Sequence, residues 1–138
     1  MAATDSEHSC YLVTLEEAEN ILGTSISGVV TGEGFCTWLS EGPVFVINLS
    51  EYQSKDQARG RMAADRRRRE REGMTVTNIR GFGDSAERAV SRRSIELSVL
   101  DGTRVIQLAV AGDHVTPSPY EERIGSLMKS LLSRRPAH

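Results

Sequence analysis

Gly34-Phe-Cys-Thr-Trp-Leu-Ser-Glu-Gly-Pro-Val-Phe-Val-Ile-Asn-Leu-Ser50 is the stretch that decides the fold. It contains the only tryptophan, Trp38, one of the two cysteines, Cys36, and the most continuous β-branched and aromatic run, Val44 to Leu49. Strand-forming residues on both sides of Glu41-Gly42-Pro43 predict two strands joined by a turn there. With few polar residues for either face, the second strand should be covered on both sides.

Working outward, Ile26 to Thr31 alternates weakly between glycines and predicts a strand that enters the hairpin through Gly32-Glu33-Gly34. Gly23, Gly28, Gly32 and Gly34 are strand punctuation rather than a phosphate loop. A Walker loop needs Gly-Lys-Ser/Thr opening a helix, and a dinucleotide turn needs its glycines between a strand and a long helix. Before this strand, Thr14 with Glu17 three residues on forms a capping box. Leu15, Ala18, Ile21 and Leu22 fall on one helical face, and Gly23 supplies a left-handed stop. Glu16, Glu17 and Glu19 sit in the acidic first half of this helix. They suit its dipole and are read as structural rather than catalytic.

After the hairpin, Tyr52 to Gly73 changes to helical period. Tyr52, Ala58, Met62 and Ala63 sketch a weak stripe, and Asp65 to Glu72 is wholly charged, so the second half of this helix is expected in water. Asp65 to Arg69, Arg66 to Glu70 and Arg68 to Glu72 have the spacing of opposite-charge pairs. The arginines are consecutive, acids alternate with them and no aromatics are interleaved, which argues against a nucleic-acid surface.

Met74 to Arg80 predicts a strand, and Gly81-Phe82-Gly83-Asp84 a turn with Phe82 tucked inward and Asp84 bonding the following amides. Ala86 to Arg93 leads to Ser94–Leu100, the cleanest alternating strand in the chain. Asp101-Gly102 then signals a two-residue hairpin, and Thr103 to Ala111 returns. Past the loop from Gly112, Tyr120 to Arg135 predicts a terminal helix lying across the sheet, with Ile124, Leu127, Met128, Leu131 and Leu132 as its apolar stripe and Lys129, Arg134 and Arg135 complementing its dipole.

The order is helix, three strands, helix, three or four strands, helix: an α+β fold with an antiparallel β-sheet flanked by helices. At 138 residues the chain is expected to be one domain over 10–135 with disordered tails over 1–9 and 136–138. A chain of this size buries roughly two-thirds of its unfolded surface, so no metal is needed for folding. A net charge of -2 argues against a partner that needs a strongly charged whole-molecule field, such as bulk nucleic acid.

Catalytic and metal constellations are mostly absent from the sequence. His8, His114 and His138 have no metal-ligand spacing, there is no nucleophile elbow, and Cys36 with His114 is a poor nucleophile and base because a cysteine inside a strand is more often buried or bridged. No catalytic, cofactor or metal residue is therefore assigned. Cys10 and Cys36 admit two readings. One is a bridge closing a loop of ~26 residues, stabilising by about 3–4 kcal/mol in the chain-entropy model. The other is a pair of small buried hydrophobes in a reducing compartment. No leader is visible at Met1 to Glu7, which fits a cytosolic protein or one whose leader has been removed.

Cys10-x-Leu-x-Thr14-x-x-Glu17-Ala18-x-x-x-Leu22-Gly23, then Cys36-x-Trp38, then Gly81-Phe82-Gly83-Asp84-Ser85-Ala86 and an alternating hairpin ending in a helix resemble small bacterial exported lipoprotein domains of unknown function, related to the PsbP-like α/β sandwich. The likeness runs from Cys10 to about Leu132. It implies a structural Cys10–Cys36 disulfide, an exported, cell-envelope protein, and a non-catalytic module that binds a protein or small ligand. Membrane attachment is then expected only through an anchor that this chain does not display. The alternative expectation is a cytosolic adaptor whose Arg66 to Arg71 segment binds an acidic partner.

Overall fold

The computed structural model describes residues 12–113 and 116–134. Cys10, His114, Arg135 and the two expected tails lie outside them. Helix α1 (Leu15–Leu22) is followed by β1 (Gly28–Gly32), β2 (Phe35–Leu39), β3 (Val44–Glu51), α2 (Lys55–Arg71), β4 (Thr75–Ile79), β5 (Ser85–Val90), β6 (Ser94–Asp101), β7 (Arg104–Ala111) and α3 (Pro117–Ser133). The strands form one antiparallel sheet in the order β1-β2-β3-β7-β6-β5-β4. Two meanders thus meet along β3 and β7, joined by residue pairs from Val44↔Ala111 to Glu51↔Arg104. This is the expected α+β architecture, with a fourth strand, β5, in the second meander.

The Gly34–Ser50 hairpin forms as read. Ser40 closes its turn, its hydroxyl donating to the Pro43 carbonyl at 2.6 Å and accepting from the Gly42 amide at 3.2 Å. Trp38 stacks on Phe45 across the strand pair with ring centroids 5.3 Å apart. Phe45 and Ile47 are wholly buried, but Val44, Val46 and Asn48 on the opposite face are only half-buried, so β3 is covered fully on one side alone. The second hairpin is offset by one residue. Asp101 pairs with Arg104 and the loop is Gly102-Thr103, with a positive φ of 65° at Gly102 only, the pattern of a type II′ rather than a type I′ turn.

Alternation sends each strand's residues to two different layers. On one face, Phe45, Ile47, Ile95, Leu97, Val99, Ile106, Leu108 and Val110 pack with the apolar sides of α1 and α3. The α3 stripe is as expected, although the helix starts earlier, at Pro117, with proline tolerated in the first turn. Thr14 and Glu17 make the capping box and Gly23 adopts φ 72°, while Leu15 stands 55% exposed outside the apolar face.

The other face is covered by α2, and here the structure departs from the sequence reading. The apolar contact is small, limited to Ala58 and Met62 against Leu100 and Val105 with Tyr52 beside them. The charged half does not stand in water. Arg69 is 3% exposed and directs its Nε to Glu96 of β6 at 3.3 Å. Arg66 donates to Glu87 of β5 at 3.0 Å and to Asn78 of β4 at 2.6 Å. Asp65, also buried, pairs with Arg61 and Arg68 rather than with Arg69, whereas the Arg66–Glu70 and Arg68–Glu72 pairs form as spaced. The sequence hides this because the acids that receive the arginines lie on strands more than a dozen residues away.

Arg134, at the C-terminal end of α3, does more than complement the helix dipole. It grips α1 with a forked pair of bonds to Glu17 at 2.9 and 2.6 Å and a third to the Leu12 carbonyl at 2.7 Å. The Arg134 hydrogen bond holds the Glu17 carboxyl below its ordinary value of 4.5, against the opposing effect of burial and with help from Thr14. A carboxyl with a depressed folded-state pKa contributes stability that is present above the unfolded value and lost as pH falls through the folded one. Urea midpoints of the wild type should therefore drop as pH is lowered through 4.5 and below, and Arg134→Met should remove that share of the drop. An unchanged acid slope in Arg134→Met would contradict the pairing.

Candidate functional site

Several hollows mark the described surface, among them the following four. One, about 650 Å³, lies where α1 meets α3 and includes Glu17, which is already committed to Arg134. A second, about 520 Å³, lies between α2 and residues 78–87, and most of its charged groups are engaged, Arg66 with Glu87, Asp84 with Lys55 and Arg59 with Asp56, whereas Arg80 makes no ion pair among the described residues. A third, about 230 Å³, is polar and lies between α2 and the β3–β7 seam. The fourth, about 210 Å³, is apolar and lies between α3 and the β4–β6 part of the sheet, walled by Ile79, Phe82, Ile95, Leu97, Ile124 and Gly125. Ligand sites are typically concave and apolar with few polar groups, which singles out the last.

Two local features shape this cleft. Phe82 stands on the loop between β4 and β5, where Gly81 and Gly83 take φ values of 96° and 49°. A Cβ on Gly83 would lie 2.6 Å from the Leu100 carbonyl oxygen, so only glycine lets the loop pass this close to β6. Asp84 then ties the loop down, though not through the amides that follow it. Its own amide donates to the Leu100 carbonyl at 2.8 Å, its carboxylate accepts from the Gly102 amide at 2.7 Å, and Lys55 lies 3.4 Å away. The Gly102 bond lowers the Asp84 pKa, opposed by desolvation and assisted by Lys55. Phe82 packs on the core as expected, and Lys129 sits over its ring at 5.6 Å.

Gly125 is the second feature. A glycine inside a helix costs roughly 0.5–1 kcal/mol relative to alanine, yet here it occupies the face of α3 turned to Phe82, where a Cβ would lie 3.7 Å from the ring. Alanine therefore fits, and glycine leaves space in the cleft. The titratable groups in the lining are Arg88 and Glu121, which hydrogen-bond each other. A guanidinium and a carboxylate neutralising one another offer no free general acid or base.

No family model and no curated protein matches this chain.

Of the residues singled out from sequence, Cys36 is wholly buried on β2, on the same face as Trp38 and opposite Ile47 of β3. Cys36 carries no free thiol, and Cys10, its expected partner, lies outside the described residues. The same holds for His114, the base considered for Cys36. Among the described residues no cluster of three or more His, Cys, Asp and Glu is placed to hold a metal ion. None of the described helices is long and apolar enough to cross a membrane. In the Arg66 to Arg71 segment, Arg66 and Arg69 face the sheet, which leaves Arg67 and Arg71 directed outward without an ion pair. Sequence reasoning missed the cleft itself. Gly125 inside an otherwise strong helical stripe was its one local signal.

Proposed function

We propose that this chain is a non-enzymatic cell-envelope domain of the PsbP-like sandwich type that binds a small apolar ligand in the cleft between α3 and β4–β6. The observation that carries the reading is the apolar cleft kept open by Gly125, at a position where alanine would strengthen the helix and meet no clash. A residue that costs stability and leaves a cavity is the kind of compromise found at functional sites. The volume suits a single ring or short branched chain, since a cavity of about 150 Å³ accommodates benzene.

The envelope assignment includes a bridge between Cys10 and Cys36. It is supported by the seat of Cys36 in the core beneath α1, the element that Cys10 precedes in the chain, and by the lack of a free thiol among the described residues. The adaptor alternative draws less support. Two of the arginines it would use are bonded inward to Glu87 and Glu96, and the outward pair is too small for a strong charge-driven surface.

Toluene titration followed by methyl NMR tests the binding reading. Saturable shifts are expected at Ile95, Leu97 and Ile124. Gly125→Leu should abolish them, and Gly125→Ala should weaken binding while raising stability by about 0.5–1 kcal/mol. Absence of saturable shifts in the wild type would refute the cleft as a binding site. For the envelope reading, thiol counting on native protein should find no reactive thiol until reductant is added, and free thiols in untreated protein would refute the bridge.

A further inference from the structure

The polar hollow between α2 and the β3–β7 seam differs in composition from the three other hollows described. Asn48 and Ser50 of β3, Gln107 of β7 and Tyr52 line it from the sheet side, and Arg61, Asp65 and Arg68 from successive turns of α2. Only Val105 is apolar. Elsewhere the polar side chains of the two faces find one another, as Arg66 finds Glu87 and Asn78. Here none of the lining side chains makes a hydrogen bond to another described residue. Asn48 and Gln107 are cross-strand neighbours, and Gln107 Nε2 is buried with no hydrogen-bond partner among the described residues. Asp65 is 8% exposed and is approached only by loose ion pairs, Arg61 at 3.5 Å and Arg68 at 3.8 Å.

Buried polar groups are almost always hydrogen-bonded, so the buried Gln107 Nε2, beside the half-buried Asn48, Ser50 and Tyr52 side chains that have no hydrogen-bond partner among the described residues, calls for an occupant that supplies one. The chemistry of the lining narrows the choice. Arg61 and Arg68 are both turned to the Asp65 carboxylate and Arg68 also to Glu72, so an anion or a cation finds no unshared opposite charge, and an apolar molecule would leave every group unpaired. What remains is a neutral molecule that both donates and accepts. Hydroxyls do this, donating to the Asp65 carboxylate and accepting from the arginines and from the amides of Asn48 and Gln107. The hollow, about 230 Å³, holds roughly eight waters at ~30 Å³ each, room for one six-membered ring bearing hydroxyls but not two.

We propose that this hollow is a binding site for a single neutral polyhydroxylated ring, a monosaccharide or cyclitol. It lies on the opposite face of the sheet from the apolar cleft and does not depend on the reading of that cleft. Because the Asn48 side chain has no hydrogen-bond partner among the described residues, removing its amide should leave the fold unchanged, which makes it the informative variant. Amide and side-chain NMR of the full chain would be followed during titration with D-glucose, D-mannose and myo-inositol, and separately with inorganic phosphate. At least one polyol should give saturable shifts at Asn48, Gln107 and the Arg61 and Arg68 side chains, with phosphate much weaker. Asn48→Ala should weaken that polyol at least tenfold with an unchanged melting temperature, and Asp65→Asn should weaken it as well. The proposal is overturned if no polyol shows saturable shifts, which leaves ordered water as the only occupant. It is equally overturned if phosphate binds more tightly, or if Asn48→Ala leaves polyol affinity unchanged.

Discussion

The clasp between Arg69 of α2 and Glu96 of β6, reinforced by Arg66 on Glu87 and Asn78, is the constraint on which this architecture rests. A helix normally docks by burying an apolar stripe. Here α2 has almost none, and Ala58 and Met62 are its only buried apolar side chains. Full burial of one methionine is worth about 1.5–3 kcal/mol, which is little for a helix of 17 residues. The remaining attraction comes from arginines that reach carboxylates on β5 and β6. Such pairs do not add stability cheaply, because both charges lose water, but once formed they are costly to break since either partner alone is left buried and unmatched. They also specify position, since a guanidinium reaching a particular carboxylate fixes both the rotation and the height of the helix on the sheet.

That position matters because α2 is the link between the two meanders. β3 leads into it and β4 leaves it, so the helix spans the sheet while β3 and β7 zip together beneath. Its contacts favour the β4–β7 side, which leaves β3 half-covered and opens the polar hollow at the seam. On the opposite face, α3 is held down by its apolar stripe, and through Arg134 it holds α1 in turn. There the break in packing occurs at Gly125, facing a phenylalanine fixed by the Asp84 loop. The two hollows thus have opposite chemistry for opposite reasons. One follows from a charged helix over a polar row of the sheet, the other from a missing side chain in an apolar layer.

Much of this was legible in the sequence. The capping box at Thr14 and Glu17, the strand pair around Glu41-Gly42-Pro43, the terminal apolar helix and the antiparallel order all follow from local rules, because each signal and its structural answer lie within a few residues of one another. β5 was harder to read. Ser-Ala-Glu-Arg-Ala-Val places two charges at its centre, and these disguise a strand whose Glu87 faces Arg66 and whose Arg88 faces Glu121. The burial of Arg69 was hidden for the same reason, since a run of arginines looks solvated until the strand acids that receive it are known. The one-residue offset of the Gly102-Thr103 turn was set by pairing of Asp101 with Arg104, which also hydrogen-bond through their side chains. Both candidate sites assemble residues from distant segments. Local spacing therefore carried no trace of them beyond Gly125.

The account is tested most directly by a double-mutant cycle on Arg69 and Glu96, using Arg69→Met and Glu96→Gln with stabilities from urea unfolding. If the clasp seats α2, each single substitution should cost about 2–4 kcal/mol, and the double variant should be more stable than additivity predicts by at least ~1 kcal/mol. Single substitutions that each cost under ~0.5 kcal/mol and simply add would mean that α2 is seated by something other than its charges.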